Sequence, residues 1–517
     1  MKYIFLLILS NSVFSFAQNI DVQKYHLDIT VTDISDVISV QEKVQILFTK
    51  TNNQFSLDLT SQGNDGLGML VSSVKENDRD VVFSQKADKL IIETDKGFES
   101  NVIMYTIEYS GIPIDGLVIG KNKYGARTIF GDNWPNRAHN WFACVDHPSD
   151  KAAIQYTITA PSHFQCVANG KLIQSTIIDK TRTKYVFDSD IILPTKVMVI
   201  GLGPLKFKQM DFSGLKVVNA VYPEDEEKGF HDMESASYPL EFFIENIGAY
   251  PYEELYNVQS TTRFGGMENA GCIFYDENAI TGEGTMDNLL AHEIAHQWFG
   301  NSVSETDWEH LWLSEGFATY FTNLNIENRH GREKMNEQMI KDRKRVIGFS
   351  KSKMLPIVDT ITADLMNLLN PNAYQKGSWF LHMLRHKIGN EVFWKGIRAY
   401  YDDYKYRNAT TDDFMKAMET ASGQQLKSFF NLWLRNAGHP VLKTKIIKKN
   451  RFTIEQVQKD VVFDFSIEVK LTYSDGETKT LNLFVLSDLT TCKSNDKRAI
   501  KSIELDPNVN LLFEEEK

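Results

Sequence analysis

Two histidines four residues apart, with a glutamate directly after the first, form the string His292-Glu293-Ile294-Ala295-His296. On a helix, a spacing of four puts both imidazoles on one face, one turn apart, where they can reach a single metal ion. Glu293 leaves the helix about 100° around from His292, beside the metal position and free to accept a proton from a bound water. That is the arrangement of a hydrolytic metal centre with Glu293 as general base. A purely structural pair of core histidines would leave Glu293 as a buried charge without a use.

A catalytic zinc usually keeps three protein ligands and one open position. Glu315, in "WLSEGFATYF", is the candidate third ligand, with eighteen residues between it and His296. One zinc per chain, held by His292, His296 and Glu315, is therefore expected. Zinc is favoured by ligand type, although a two-His, one-Glu set also binds other divalent ions.

Fewer than thirty residues before the histidines stands a second string, Gly265-Gly266-Met267-Glu268-Asn269. Two glycines allow close approach of a backbone or ligand. The strand-like "NVQSTTRF" before it suggests an edge on which an extended peptide could pair. By itself this string reads first as a glycine turn with a solvated glutamate, because such turns are common.

The elements that must carry these residues fall into three stretches. From about Asn19 to Pro204, short alternating runs such as "YHLDITVTD" and "NVIMYTIEYSG" predict an antiparallel β domain. Helical periods then dominate, with segments expected at Met286 to Phe299, Trp308 to Asn328, Gln375 to Lys387, and Glu391 to Leu434. After Gly438-His439-Pro440 alternation returns, predicting a small C-terminal β-sandwich domain. The fold class is thus multidomain α+β, divided as 18–205, 206–438 and 439–517.

Composition narrows the function classes. The chain carries 56 basic against 68 acidic residues, a net charge of −12, which disfavours nucleic acid or anionic lipid as a partner. Residues 1–17 pair Lys2 with a short apolar run and end on Ser15-Phe16-Ala17, the pattern of a cleaved secretory signal, so an exported protein, periplasmic or secreted, is expected. No later segment is long and apolar enough to span a membrane. Four scattered cysteines are too few for a disulfide framework, leaving one bridge, Cys144 to Cys166, or buried free thiols.

Four motifs in order, GGMEN, HExxH with the spaced glutamate, "WLSEGFATYF" and "YQKGSWFLHML", resemble the gluzincin zinc aminopeptidases, the family that includes aminopeptidase N and the leukotriene hydrolase. The resemblance covers nearly the whole chain after the signal and implies a thermolysin-like, mainly helical catalytic domain. It implies that Glu268 binds the free ammonium of a peptide substrate, that Gly265, Gly266 and Met267 line its backbone, and that Tyr374 stabilises the oxyanion. The implied function is removal of the N-terminal residue from peptides.

Departures from the family pattern matter too. Where relatives carry a second amine ligand in the β domain, this sequence reads "TIFGDNWPNR", and Asp132 or Asn133 could substitute. His310 stands where many relatives have Asp, and is expected behind the metal ligands. The sequence ends in β pattern about 80 residues after Pro440, without the long helical domain of the larger relatives, so a more open cleft is expected. Competing readings are a thermolysin-type endopeptidase, which gives no reason for GGMEN, epoxide hydrolysis as in one branch of the family, and a non-catalytic peptide-binding module, whose signature would be loss of Glu293, a ligand or Tyr374.

Overall fold

In the computed structural model, which describes residues 19–459 and 461–516, the chain builds two β-rich ends around a helical middle. The signal-like stretch lies outside the described residues. Among the described residues, no helix is long and apolar enough to cross a membrane.

The N-terminal part is an eight-stranded sheet with smaller sheets packed against it. Ile38–Phe48 shows why the alternation works: Ile38, Val40, Val44, Ile46 and Phe48 all point inward and are buried, while their neighbours face out. The expected antiparallel pairing has one parallel seam, where Ile20–Thr30 lies beside Lys151–Pro161. Such a pairing needs a long connection, which the intervening strands provide.

The middle part opens with a five-stranded sheet in the order Lys206–Phe212, Leu215–Val221, Glu254–Ser260, Cys272–Asp276, Gly266–Met267. This corrects the expected position of the edge. The "NVQS" strand is internal, paired in parallel on both sides, and the exposed edge is the two-residue strand Gly266–Met267 inside GGMEN itself.

Eight helices of eight residues or more follow along the described chain: α1 (Glu226–Met233), α2 (Ser237–Asn246), α3 (Asp287–His296), α4 (Trp312–His330), α5 (Arg332–Ser352), α6 (Gly377–Ile388), α7 (Asn390–Tyr404) and α8 (Thr411–Ser422). Thr410 caps α8 through a reciprocal pair of bonds with Asp413, a capping box. Apolar faces of α2, α3, α4, α6 and α7 meet around Trp298, Phe321 and Tyr400.

The last part forms a four-stranded and a three-stranded sheet, whose inward residues, among them Phe452, Val469 and Leu471, join the same core as the helices. All four cysteines are buried and unbridged, so the Cys144–Cys166 bridge is absent.

His382 on α6 joins the helical and C-terminal parts. Its Nε2 faces the carbonyl of Val509 at 3.0 Å and its Nδ1 faces the Tyr320 hydroxyl at 3.1 Å. Burial, with Arg332 nearby, pushes its pKa down to about 3. The folded chain thus holds a neutral imidazole, whereas the unfolded chain takes up a proton below about pH 6.5. Stability should fall as pH drops from about 6.5 towards 3, by roughly 1.4 kcal/mol per unit for this group. Urea unfolding at pH 7 and pH 4.5 measures it, and His382→Gln should flatten the slope by about 2 to 3 kcal/mol over that interval.

Candidate metal centre and substrate cleft

Helix α3 presents His292 and His296 one turn apart, with their Nε2 atoms 3.1 Å from each other. Helix α4 packs against α3 and brings the Glu315 carboxylate to 3.4 Å from both nitrogens. These three ligand atoms converge as the sequence spacing predicts.

The donor set fits a divalent cation on several independent counts. Glu315 Oε2 is buried and has no hydrogen-bond partner. His296 is oriented by its other nitrogen, which lies 3.1 Å from Ser314 Oγ and 3.2 Å from the Phe299 carbonyl, leaving Nε2 to face the ligand point. Although burial opposes charge on His296, the carboxylates of Glu315 and Glu268 pull its pKa up to about 9. A buried pocket that favours an imidazolium this strongly is one built for a positive charge.

Glu293 projects beside that point and is 4% exposed. Desolvation, with the neighbouring carboxylates of Glu268 and Glu315, raises its pKa well above the usual range. The direction suits a proton acceptor rather than a permanent anion. Gly266 leaves the room it occupies, since a Cβ at that position would overlap the Glu293 carboxylate.

Glu268 stands across the cleft, buried, with Oε1 lacking any partner. Its backbone is fastened from the metal-binding segment: Gln297 Nε2 and Asn301 Nδ2 both donate to the Glu268 carbonyl, at 2.9 and 2.6 Å. Gln297 Oε1 accepts from the Gly271 amide at 2.9 Å. Sequence reasoning passed over both residues, and the signal was available: two amides at the end of a metal helix, Gln297 directly after His296 and Asn301 at its turn.

Tyr374 sits on a wide π-type turn, Asn372–Lys376, that leads into α6. Such turns recur at functional sites because they redirect one side chain out of the helical ladder. Its ring stacks on His292 with centroids 6.0 Å apart and planes 10° apart. Burial and the surrounding carboxylates of Glu315, Glu268 and Glu293 raise its pKa well above 10, so its hydroxyl keeps its proton and is a donor.

The cleft of about 60 Å³ is lined by Trp134, Phe264, Gly266, Met267, Glu268, His292, Glu293, His296, Glu315, Leu369 and Tyr374, which gathers most of the expected site into one place. Gly265 lies next to it, exposed on the edge loop. On the far face of His292 and Tyr374 is a second cavity of about 280 Å³, lined by polar residues including Thr319, Asn323 and Asp342.

Three residues are placed elsewhere. Asp132 is fully buried and committed to Arg137 at 2.5 Å and to the Arg263 amide at 3.2 Å, so it anchors the start of the GGMEN loop and does not line the cleft. Asn133 is equally engaged, donating to the Thr195 and Met198 carbonyls and accepting from Trp141. His310 contacts Thr411 Oγ1 at 3.0 Å and touches no metal ligand; Ser314 takes the place expected for it.

The chain thus combines a β-rich N-terminal part, a helical middle, and an HExxH helix completed by a glutamate from α4, a donor set that could hold a divalent cation. Residues 22–197 match the peptidase M1 N-terminal domain and residues 231–433 the peptidase family M1 domain. The chain belongs to peptidase family M1. Among curated relatives it is 27% identical over 430 residues to glutamyl aminopeptidase of Homo sapiens, covering 75% of this chain and 44% of that one. Probable aminopeptidase 2 of Sulfurisphaera tokodaii is 26% identical over 481 residues, covering 87% and 60%. Aminopeptidase M1 of Arabidopsis thaliana is 28% identical over 353 residues, covering 65% and 40%. The chain spans about half the length of the curated relatives it matches.

Replacing Asn301 by Asp keeps the shape and removes the N–H that Glu268 uses. The Glu268 carbonyl then keeps only the Gln297 donor and faces a buried carboxylate oxygen, a loss of about 1 to 3 kcal/mol. Hydrogen exchange at the amides of Met267 to Ala270 should therefore rise about tenfold or more, while bound metal measured by elemental analysis stays at the wild-type level.

Proposed function

We propose that the chain is a zinc-dependent aminopeptidase that removes the N-terminal residue from peptides bearing a free amino terminus. One observation carries the reading: Glu268 keeps a buried carboxylate oxygen without a partner, and its backbone carbonyl is fastened by two hydrogen bonds to the segment that follows His296. A carboxylate held at a fixed place from the hydrolytic centre measures one residue from the end of the substrate.

His292, His296 and Glu315 would hold the ion. When bound, it supplies Lewis-acid polarisation of the scissile carbonyl and a water of lowered pKa. Glu268 pairs with the substrate ammonium, and the Gly266–Met267 edge offers its free backbone groups to the first residue. Glu293 takes the proton of the attacking water on its carboxylate and later delivers it to the departing amine nitrogen. Tyr374 Oη donates to the carbonyl oxygen as charge develops there, a contribution of a few kcal/mol for a well-aimed donor in a water-poor site. The polar cavity beyond His292 and Tyr374 receives the part of the peptide that leaves. The leader-like first residues fit action outside the cytoplasm, and we propose export on that ground.

Alanine 4-nitroanilide and its N-acetyl form test the reading. Rapid hydrolysis of the free amine and none of the acetylated compound is expected; equal hydrolysis would point to an endopeptidase. Glu293→Gln should retain metal and lose turnover by about a thousandfold. Glu268→Ala should erase most of the preference for the free amine, at least about tenfold, because a buried charge-assisted pair is removed.

A further inference from the structure

The structure assigns a class of first residue to this cleft: we infer that it accepts an uncharged, apolar N-terminal side chain and rejects an acidic one. The inference rests on the aminopeptidase reading and adds the substrate class to it. With the ammonium on Glu268 and the scissile carbonyl at the metal point, the first Cα lies between them. Its side chain must then face what remains of the lining, namely Trp134, Phe264, Met267, Leu369 and Tyr374.

That wall is apolar and aromatic. Trp134 packs edge-on against Phe264, with centroids 6.2 Å apart, and edge-on against Trp308 at 5.9 Å. Its only side-chain N–H or O–H groups are Trp134 Nε1 and Tyr374 Oη, both neutral, and Tyr374 Oη is needed at the reacting carbonyl. No cation lines the cleft besides the histidines.

The cations packed behind the wall are already committed. Arg137 lies 6.0 Å from the Phe264 ring, but its guanidinium is held by Asp115 at 3.1 Å and Asp132 at 2.5 Å. Arg263 is held by Asp115 at 2.5 and 3.2 Å. Lys196, 5.8 Å from the Trp308 ring, is paired with Glu305 at 2.5 Å and both are buried. An acidic first residue would enter a pocket that already holds three carboxylates, Glu268, Glu293 and Glu315, with no free cation to meet it. A cleft of about 60 Å³ also favours short side chains over long ones. Activity on glutamate, which the name of the human relative describes, therefore does not transfer to this chain.

The experiment compares the α-4-nitroanilides of alanine, leucine, phenylalanine, lysine and glutamate on the metal-loaded protein. Alanine or leucine should exceed glutamate in kcat/KM by about a hundredfold or more, the discrimination expected when a charge must be buried unpaired. Calorimetric binding of leucinamide and of glutamic acid α-amide to the Glu293→Gln protein gives a second readout without turnover, and only leucinamide should bind. Leu369→Arg places a cation at the wall and should raise the glutamate-to-alanine ratio at least about tenfold. Glutamate or lysine as the best first residue would overturn this inference and leave the aminopeptidase reading standing. No hydrolysis of any of the five amides, with no amide bound, would overturn that reading and the inference with it.

Discussion

The carbonyl oxygen of Glu268 accepts two N–H donors from the segment that also carries the histidines, and the geometry of the cleft depends on that pair of bonds. Because Gln297 follows His296 directly and Asn301 closes the turn after the helix, both bonds tie Glu268 to the helix that presents His292 and His296. The edge strand Gly266–Met267 is too short to hold its own position, with only two residues paired to Cys272–Asp276. Fastening by side chains replaces the ladder that a longer strand would have.

The N-terminal part stabilises the same turn from the other side. Lys151 donates to the carbonyls of Asn301, Ser302 and Arg407, at 3.2, 2.9 and 3.0 Å, which satisfies a stretch of backbone that has no strand partner there. Lys196 pairs with Glu305 at 2.5 Å, both almost fully buried. Buried pairs of this kind contribute little net stability against a hydrophobic replacement, but losing one partner is costly. Their effect is to fix one docking of the β-rich part against the helices. Asn169 adds a direct link, donating to the carbonyls of Val197 and Ala270 and so joining the N-terminal part to the residue after GGMEN-Asn269.

Two glycines explain why Glu315 and Tyr374 can share a site. A Cβ on Gly377 would come 2.9 Å from the Gly316 Cα, and one on Gly316 would come 3.0 Å from the Ala373 carbonyl oxygen. The backbone of α4 and the π-type turn therefore touch where any side chain would separate them. Gly316 follows Glu315 directly and Gly377 stands three residues after Tyr374, so the close contact sets the distance between Glu315 and Tyr374 across the cleft.

Local pattern was sufficient for what depends on one element at a time. The i, i+4 histidines with Glu293, the helical periods around them, the alternation of Ile38–Phe48 and the fold class follow from side-chain periodicity, which the backbone geometry of a helix or strand dictates. Spacing after the HExxH string was enough to name Glu315, whereas Glu268 and Tyr374 were named through the order of the four motifs, since nothing in their own neighbourhoods distinguished them. What only the tertiary structure decided is which polar groups are already spent. Asp132 and Asn133 look available in sequence, but Arg137 and the Thr195 and Met198 carbonyls, brought to them by packing, occupy their hydrogen-bonding capacity. The edge of the five-stranded sheet moved from "NVQS" to Gly266–Met267 for the same reason, since strand neighbours are set by long-range pairing. A sequence records which atoms can donate, accept or bind a cation; the fold, by bringing distant groups within 3 Å, determines which of them remain free to do so.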